Sequence, residues 1–361
     1  MRFLGSSLSN NPINNRLVNM SLSRRKFLAL GSATISSVVT ARAAQEAPVV
    51  LGHGDFRYRV VPNWGVLGAE TPVNDCHGIV CDAEGNIILL TNEITNNFIV
   101  YDASGKLLHK WGKEYPMAHG LSIVKENGKE VLYFTDLNLH KVFKSTLSGE
   151  ILNEWEFPKG VESYTKAEQY KPSWTLHHPE GDFYVLDGYG RDYIVHYDKA
   201  GELKKVFGGK EGGIPHWGPH GGMVDTDAEG KQSLLLAMSD QQNLMRLGLD
   251  GSHISKVALP GGNPRQIDKV GKHYFIPHLA DNWPADRESP GFISVLDENM
   301  KVISNIGGTQ PIYDDSGNLQ KMSSKGGIFK HPHDLTVGKD GSIYVAQFLS
   351  GKTYPIKLVR V

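Results

Sequence analysis

Four times in this chain a histidine stands immediately before a short β-type stretch at the same point of a repeated unit, and no other feature restricts the fold as much. The copies are His77 in HGIVCDAEGNIILL, His119 in HGLSIVKENGKEVLYFTD, His220 in HGGMVDTDAEGKQSLLLAMSD and His333 in HDLTVGKDGSIYVAQ. A repeat returns one residue type to one structural position, which places those side chains around a common axis. Imidazoles around an axis can hold a metal.

Each unit runs through a short apolar strand to a Gly-containing tip such as Ala83-Glu84-Gly85-Asn86, Pro179-Glu180-Gly181-Asp182 or Lys339-Asp340-Gly341-Ser342. A second strand follows (NIILLTNE, VLYFTD, SLLLAMSD), then a third and a fourth joined by another tip, as in IVYDASGKLLHKWG. Four antiparallel strands with Gly turns describe one propeller blade. The units align as six blades beginning near His77, His119, Ser173, His220, Arg265 and His333. The expected fold is therefore all-β, a six-bladed β-propeller over residues 44–361. The last unit supplies only three strands, and residues 56–65 at the front of the mature chain read as the missing outer one. Such closure joins the termini in one sheet and removes an open edge. Two insertions, 159–171 and 309–330, are expected over a face of the propeller.

Residues 1–43 are set apart as an export signal. Ser23-Arg24-Arg25-Lys26-Phe27-Leu28, a mildly apolar run to Val39 and Ala41-Arg42-Ala43 form a twin-arginine leader with cleavage after Ala43. The run is too short to span a bilayer, so the expectation is a periplasmic or secreted protein with the twin-arginine export machinery as a partner and no stable membrane span. The leader carries six basic and no acidic side chains in a chain of 38 Lys and Arg and 39 Asp and Glu, so its removal leaves a net charge near −7. That argues against nucleic acid as a partner. Cys76 and Cys81 are five apart around one strand, which sends them to opposite faces and leaves both free.

Blades two, four and six of six are related by about 120°, so His119, His220 and His333 meet near the axis as a three-nitrogen face with a coordination position left open. Polar side chains packed in a wet channel are the alternative. A zinc ion, or another first-row divalent ion, suits such donors. His77 is the fourth member of the ring, and an additional ligand, a proton carrier and a channel-lining donor are all consistent with its place. Arg265 holds the equivalent position in blade five, where it reads either as a carboxylate clamp or as a structural partner of Asp268 or a neighbouring blade. Ser173 or Trp174 completes the ring. At most one of His177 and His178 faces inward. His278 is assigned to a surface loop, and His216, Trp217, Trp283 and Tyr313 are candidates for an aromatic rim or for packing under loops.

MAHGLSIV with YFTDLNLHKVFK, then FYVLDGYGRDYIVHY, PHGGMV and HPHDLTVGKDGSIYVAQ resemble successive motifs of the NHL-repeat propeller of peptidyl-α-hydroxyglycine α-amidating lyase (peptidylamidoglycolate lyase). The resemblance covers most of the mature chain, and HGLS with TDLNLHKVFK is its most specific part. It implies a catalytic zinc on His119, His220 and His333, with Tyr189 acting on the substrate hydroxyl. It also implies a structural calcium held by the carbonyls of Ile79 and Leu121 and the carboxylate of Asp334. Two arginines of the family pattern are absent: blade one reads Leu90-Thr91-Asn92-Glu93 and blade four Ser239-Asp240-Gln241-Gln242-Asn243. The metal scaffold is retained while substrate recognition has changed.

The leading functional expectation is an exported metal-dependent, lyase-like enzyme acting on a small hydroxylated or carboxylated substrate, peptide-derived or free. Tyr189 is its base and Arg265 its anion clamp. The alternative is a non-catalytic NHL propeller that captures a protein or glycan partner. A calcium-dependent lactonase propeller expects acidic channel ligands and finds histidines instead.

Overall fold

The second strand of each unit carries a run of apolar residues buried on both of its faces, and this dictates a ring. In Ile87–Thr91 and Phe183–Leu186 all residues are buried, so both faces of the strand are covered. Side chains alternate along a strand, and the two faces serve different neighbours. Ile88 and Leu90 join Leu121, Leu132 and Phe134 of blade two, whereas Ile87 and Leu89 join Tyr344 and Ala346 of blade six. Leu234 and Leu236 likewise pack toward blade three, Leu235 and Ala237 toward blade five. Six apolar clusters result, each lying between two successive sheets.

The computed structural model describes residues 49–281 and 285–361. The export signal expected over 1–43, and Trp283, lie outside them. The described residues form six antiparallel sheets, the six-bladed all-β propeller that the repeat implies. Their inner strands are Cys76–Cys81, Ala118–Glu126, Trp174–His177, Pro219–Thr226, Asp268–Val270 and Pro332–Val337. A 3₁₀ turn, Ala167–Gln169, is the one helical element among the described residues. None of their helices is long and apolar enough to cross a membrane. Cys76 and Cys81 are both free.

Closure is more extensive than a single strand. Phe56–Val61 pairs with the C-terminal Ile356–Arg360, Tyr58 opposite Arg360 and Val61 opposite Lys357. A further strand, Val50–His53, then folds back on it to make a five-stranded sheet. The outer strand also stops at Val61, and Trp64 turns inward instead, with its ring 4.8 Å from Tyr344 and 5.3 Å from Tyr101. Leu51, Phe56 and Tyr58 from this hairpin belong to the cluster between blades five and six.

The insertions do more than cover a face. Tyr164 and Tyr170 of 159–171 are buried, and the Tyr164 hydroxyl donates to Asp187 at 2.7 Å. In 309–330 the Tyr313 hydroxyl donates to the Val302 carbonyl, so Tyr313 packs under its loop and forms no rim. His278 is fully buried, stacked on Phe292 and bonded to the Ser294 hydroxyl at 2.9 Å, which corrects its assignment to a surface loop.

Deleting residues 50–61 removes two aromatic side chains and a leucine from one inter-blade cluster, each loss costing about 2–5 kcal/mol, and bares the edge of Ile356–Arg360. The shortened protein is expected to aggregate or to melt more than about 10 °C below the parent in thermal unfolding. An unchanged melting temperature would contradict closure by this hairpin.

Candidate metal centre and its pocket

Each of the four ring histidines sits where strand pairing breaks. The register slips between Cys76 and Gly78, Ala118 and Leu121, Pro219 and Gly221, and Pro332 and Asp334, which leaves His77, His119, His220 and His333 at bulges. A bulge re-aims a side chain out of the strand's alternation. Blade three, which lacks the histidine, pairs Trp174–His177 without a slip.

The glycine that follows three of these histidines has a packing role. A Cβ on Gly120 would lie 2.4 Å from the Ser173 carbonyl oxygen, and one on Gly221 would lie 2.4 Å from that of Arg265. Those same oxygens receive the histidine rings: His119 Nδ1 lies 2.9 Å from the Ser173 oxygen and His220 Nδ1 2.8 Å from the Arg265 oxygen. His333 Nδ1 meets the His77 carbonyl oxygen at 2.8 Å. A carbonyl only accepts, so in all three rings Nδ1 carries the proton and Nε2 keeps its lone pair. This is the arrangement that prepares a histidine to bind a metal through Nε2.

The rings of His119, His220 and His333 stand 4.7–4.9 Å apart, centre to centre. An ion about 2.0–2.1 Å from each nitrogen puts ring centres roughly 5 Å apart. His77 lies 4.8 Å from His119 and 4.6 Å from His333, on the far side of the edge those two share. The ligand atoms that fall within 4.8 Å of one another are those of His77, His119 and His333, so these three buried histidines could hold a metal ion, and His220, whose Nε2 faces the Tyr189 hydroxyl, lies outside that group. His77 Nε2 and His119 Nε2 are buried with no hydrogen-bond partner, as expected of nitrogens that await a ligand. Burial holds His119, His220 and His333 well below the usual imidazole range and brings His77 down to about 3. All four are neutral at pH 7, the state a metal requires.

Above the histidines lies a cavity of about 410 Å³ lined by His77, Tyr189, Trp217, Asp240, Arg265, Arg287, His333 and Phe348. The Tyr189 hydroxyl donates to His220 Nε2 at 3.0 Å. Burial pushes this phenol up while the Arg265 guanidinium, bonded to it, pulls it down. Arg265 is 5 % exposed and feels Tyr189 and Asp240 as its nearest charges. It does not pair with Asp268, whose carboxylate accepts the Val337 N–H instead. Trp217 fulfils the rim position, His216 pairs with Asp192 at 2.7 Å, and His177 lies outside this pocket against Tyr133.

Sequence reasoning missed Asp187. Its buried carboxylate accepts the N–H groups of Lys171 and Arg191 and the Tyr164 hydroxyl at 2.6–2.7 Å, and so ties insertion 159–171 to the turn that carries Tyr189. The strand-end Asp-Gly-Tyr-Gly pattern was a visible signal, but the partners come from elsewhere in the chain. Asp268 was missed in a different way. At the other end of the channel a cavity of about 690 Å³ brings Ile79, Leu121, Asp334 and Asp268 together. Asp334 accepts the Ile79 and Leu335 N–H groups at 2.8 Å, and burial pushes both carboxyls up, Asp268 to about 6. Among the described residues neither forms an ion pair, so a cation suits this end electrostatically.

No family model matches the chain. Over 108 residues it is 31% identical to peptidyl-α-hydroxyglycine α-amidating lyase 1 of Drosophila melanogaster, a match spanning 29% of this chain and 19% of that protein. Among solved structures, virginiamycin B lyase from Staphylococcus aureus superposes with a TM-score of 0.51 at 15% identity, over 87% of this chain and all of that one. A streptogramin B lyase gives the same TM-score and identity over 80% of this chain and 94% of its own. These likenesses are to distant lyases, and at 15% identity the solved structures show the fold alone, the propeller that the six sheets form.

The buried groups set an acid limit. His77, His177 and His278, each held near 3, and His119, His220 and His333 stay neutral in the folded chain but take up protons below about 6.5 once unfolded. Stability therefore falls as pH drops from about 6.5 toward 3. Asp187 near 7, Asp268 near 6 and Asp334 act with the opposite sign over the same window, but they are fewer. Metal-free protein is expected to melt several degrees lower at pH 5 than at pH 7.5 by calorimetry. A melting temperature that is flat or rises on acidification would contradict neutral buried histidines.

Proposed function

We propose that this propeller is a metal-dependent enzyme of lyase-like chemistry acting on a small hydroxylated or carboxylated substrate. The observation that carries it is the shared orientation of His119, His220 and His333, each giving Nδ1–H to a carbonyl, beside a phenol and a buried guanidinium. Zinc is the first candidate and another first-row divalent ion the second; when bound, such an ion supplies Lewis acidity to a substrate oxygen. Tyr189 is within hydrogen-bond reach of this centre and serves as the group that takes the hydroxyl proton; burial pushes its phenol up, and Arg265 offsets part of that rise. Arg265 also faces the cavity and balances substrate anionic charge, in place of the arginines lacking after Leu90 and Ser239. His77 borders the pocket and is held as a further donor toward metal or substrate. A structural calcium is assigned to Asp334 with the carbonyls of Ile79 and Leu121, and Asp268 adds a second negative charge there. Twin-arginine export to the periplasm or beyond completes the reading.

Purified protein is expected to hold about one first-row metal equivalent. His220→Ala should lose it while remaining folded, and Tyr189→Phe should keep the metal but turn over α-hydroxy acids and their amides 10²–10⁴-fold more slowly, a loss typical of a missing acid–base group. Unchanged metal content in His220→Ala overturns the ligand set. Full turnover by Tyr189→Phe removes that residue from the chemistry and favours simple capture of a partner.

A further inference from the structure

The cavity above the histidines is unusual in what its apolar surface is made of. Its eight lining residues include no aliphatic side chain; every apolar surface belongs to the rings of Trp217, Phe348, Tyr189 and the histidines. Trp217 comes from the loop before the inner strand of blade four, and Phe348 follows the second strand of blade six. The Phe348 ring stands 5.2 Å from His77 and 6.1 Å from His333. The Trp217 ring meets Tyr189 edge-on at 5.4 Å.

Trp217 is held in place at a cost and then left half exposed. Its φ is +57°, a left-handed conformation that a bulky residue seldom adopts. Both neighbours are tied down: His216 by its ring to Asp192 at 2.7 Å and by its carbonyl to Gln241 Nε2 at 3.0 Å, and Gly218 by its N–H to Asp192 at 3.4 Å. The indole is nevertheless 48 % exposed, in a protein that buries most of its other aromatic rings. A strained backbone that presents an indole to a pocket, and not to the core, marks a ligand platform. The charged groups beside it are Arg265, Arg287 and Asp240.

We propose that the substrate carries a flat apolar group, an aryl ring or its equivalent, beside its hydroxyl and carboxylate, and that Trp217 and Phe348 select it by stacking. This rests on the reading of the site as one for hydroxylated or carboxylated molecules and adds the part that reading leaves open. The carboxylate lies toward Arg265, the hydroxyl toward Tyr189 and the histidines, and the ring between the two aromatic walls. Ring faces reward a planar partner in offset or edge contact more than a branched aliphatic one.

Mandelate and lactate test this directly, because the two α-hydroxy acids differ in a phenyl against a methyl group. With metal-loaded protein in calorimetric titrations, mandelate is expected to bind at least about ten-fold more tightly. Trp217→Ala should bring the two within about three-fold by weakening mandelate alone, and Phe348→Ala should narrow the gap in the same direction. Trp217 is half exposed, so its truncation is compatible with folding. Equal affinities in the parent protein, or a gap that survives both substitutions, overturn the aromatic platform while leaving the hydroxy-acid reading intact. If neither acid binds, the hydroxy-acid reading falls and this inference with it.

Discussion

The contact on which the site depends is the hydrogen bond from a bulged histidine to a backbone carbonyl of the next blade. His119 reaches Ser173, His220 reaches Arg265 and His333 reaches His77, each at 2.8–2.9 Å. One bond does two things: it satisfies a buried carbonyl between blades and fixes which imidazole nitrogen carries the proton. Gly120 and Gly221 make it possible, because any side chain there would strike the carbonyl that the histidine needs. Blade packing and metal readiness are therefore a single geometric condition. The ring can be closed by apolar clusters alone, but only this spacing also turns the Nε2 atoms toward the axis.

Much of this could be read from the residues. The apolar second strands, the Gly tips and the four phased histidines are enough for six blades, and the amidating-lyase resemblance points to Tyr189, whose hydroxyl lies against His220. What escaped was whatever depends on register or on partners distant in the chain. A bulge is one extra residue in a pairing, and HGIV or HGLS alone does not show that the histidine is the residue left out. The strand Val50–His53 is too short and too Gly-rich to announce itself, so closure was read as one strand in place of a hairpin. His278 was assigned to the surface because a polar residue after Pro277 resembles a loop; its burial follows from Ser294 and Phe292 on the next strand. Asp187 could not be valued without Tyr164, 23 residues earlier in an insertion with no motif of its own.

The pocket draws its cations from one blade. The arginines of the amidating-lyase pattern are missing after Leu90 and Ser239, yet the cavity is not short of cations, since Arg265 and Arg287 line it from blade five. Arg265 is buried against Tyr189 and Asp240, so it is held in one orientation instead of sweeping a surface. A guanidinium fixed in this way suits an anionic ligand and offsets part of the rise that burial imposes on the Tyr189 phenol. The opposite end of the channel holds the buried carboxyls of Asp334 and Asp268. The axis thus runs from an aromatic mouth with two arginines through neutral histidines to a floor with two buried carboxyl groups.

Whether the histidines hold a metal decides most of this, and anomalous diffraction from crystals of the protein isolated with its native ion answers it directly. A single peak on the propeller axis about 2.0–2.1 Å from the Nε2 atoms of His119, His220 and His333 is the expected result. An axis without an anomalous scatterer, with the Nε2 atoms of those imidazoles met only by water, protein groups and the Tyr189 hydroxyl, would contradict a metal centre.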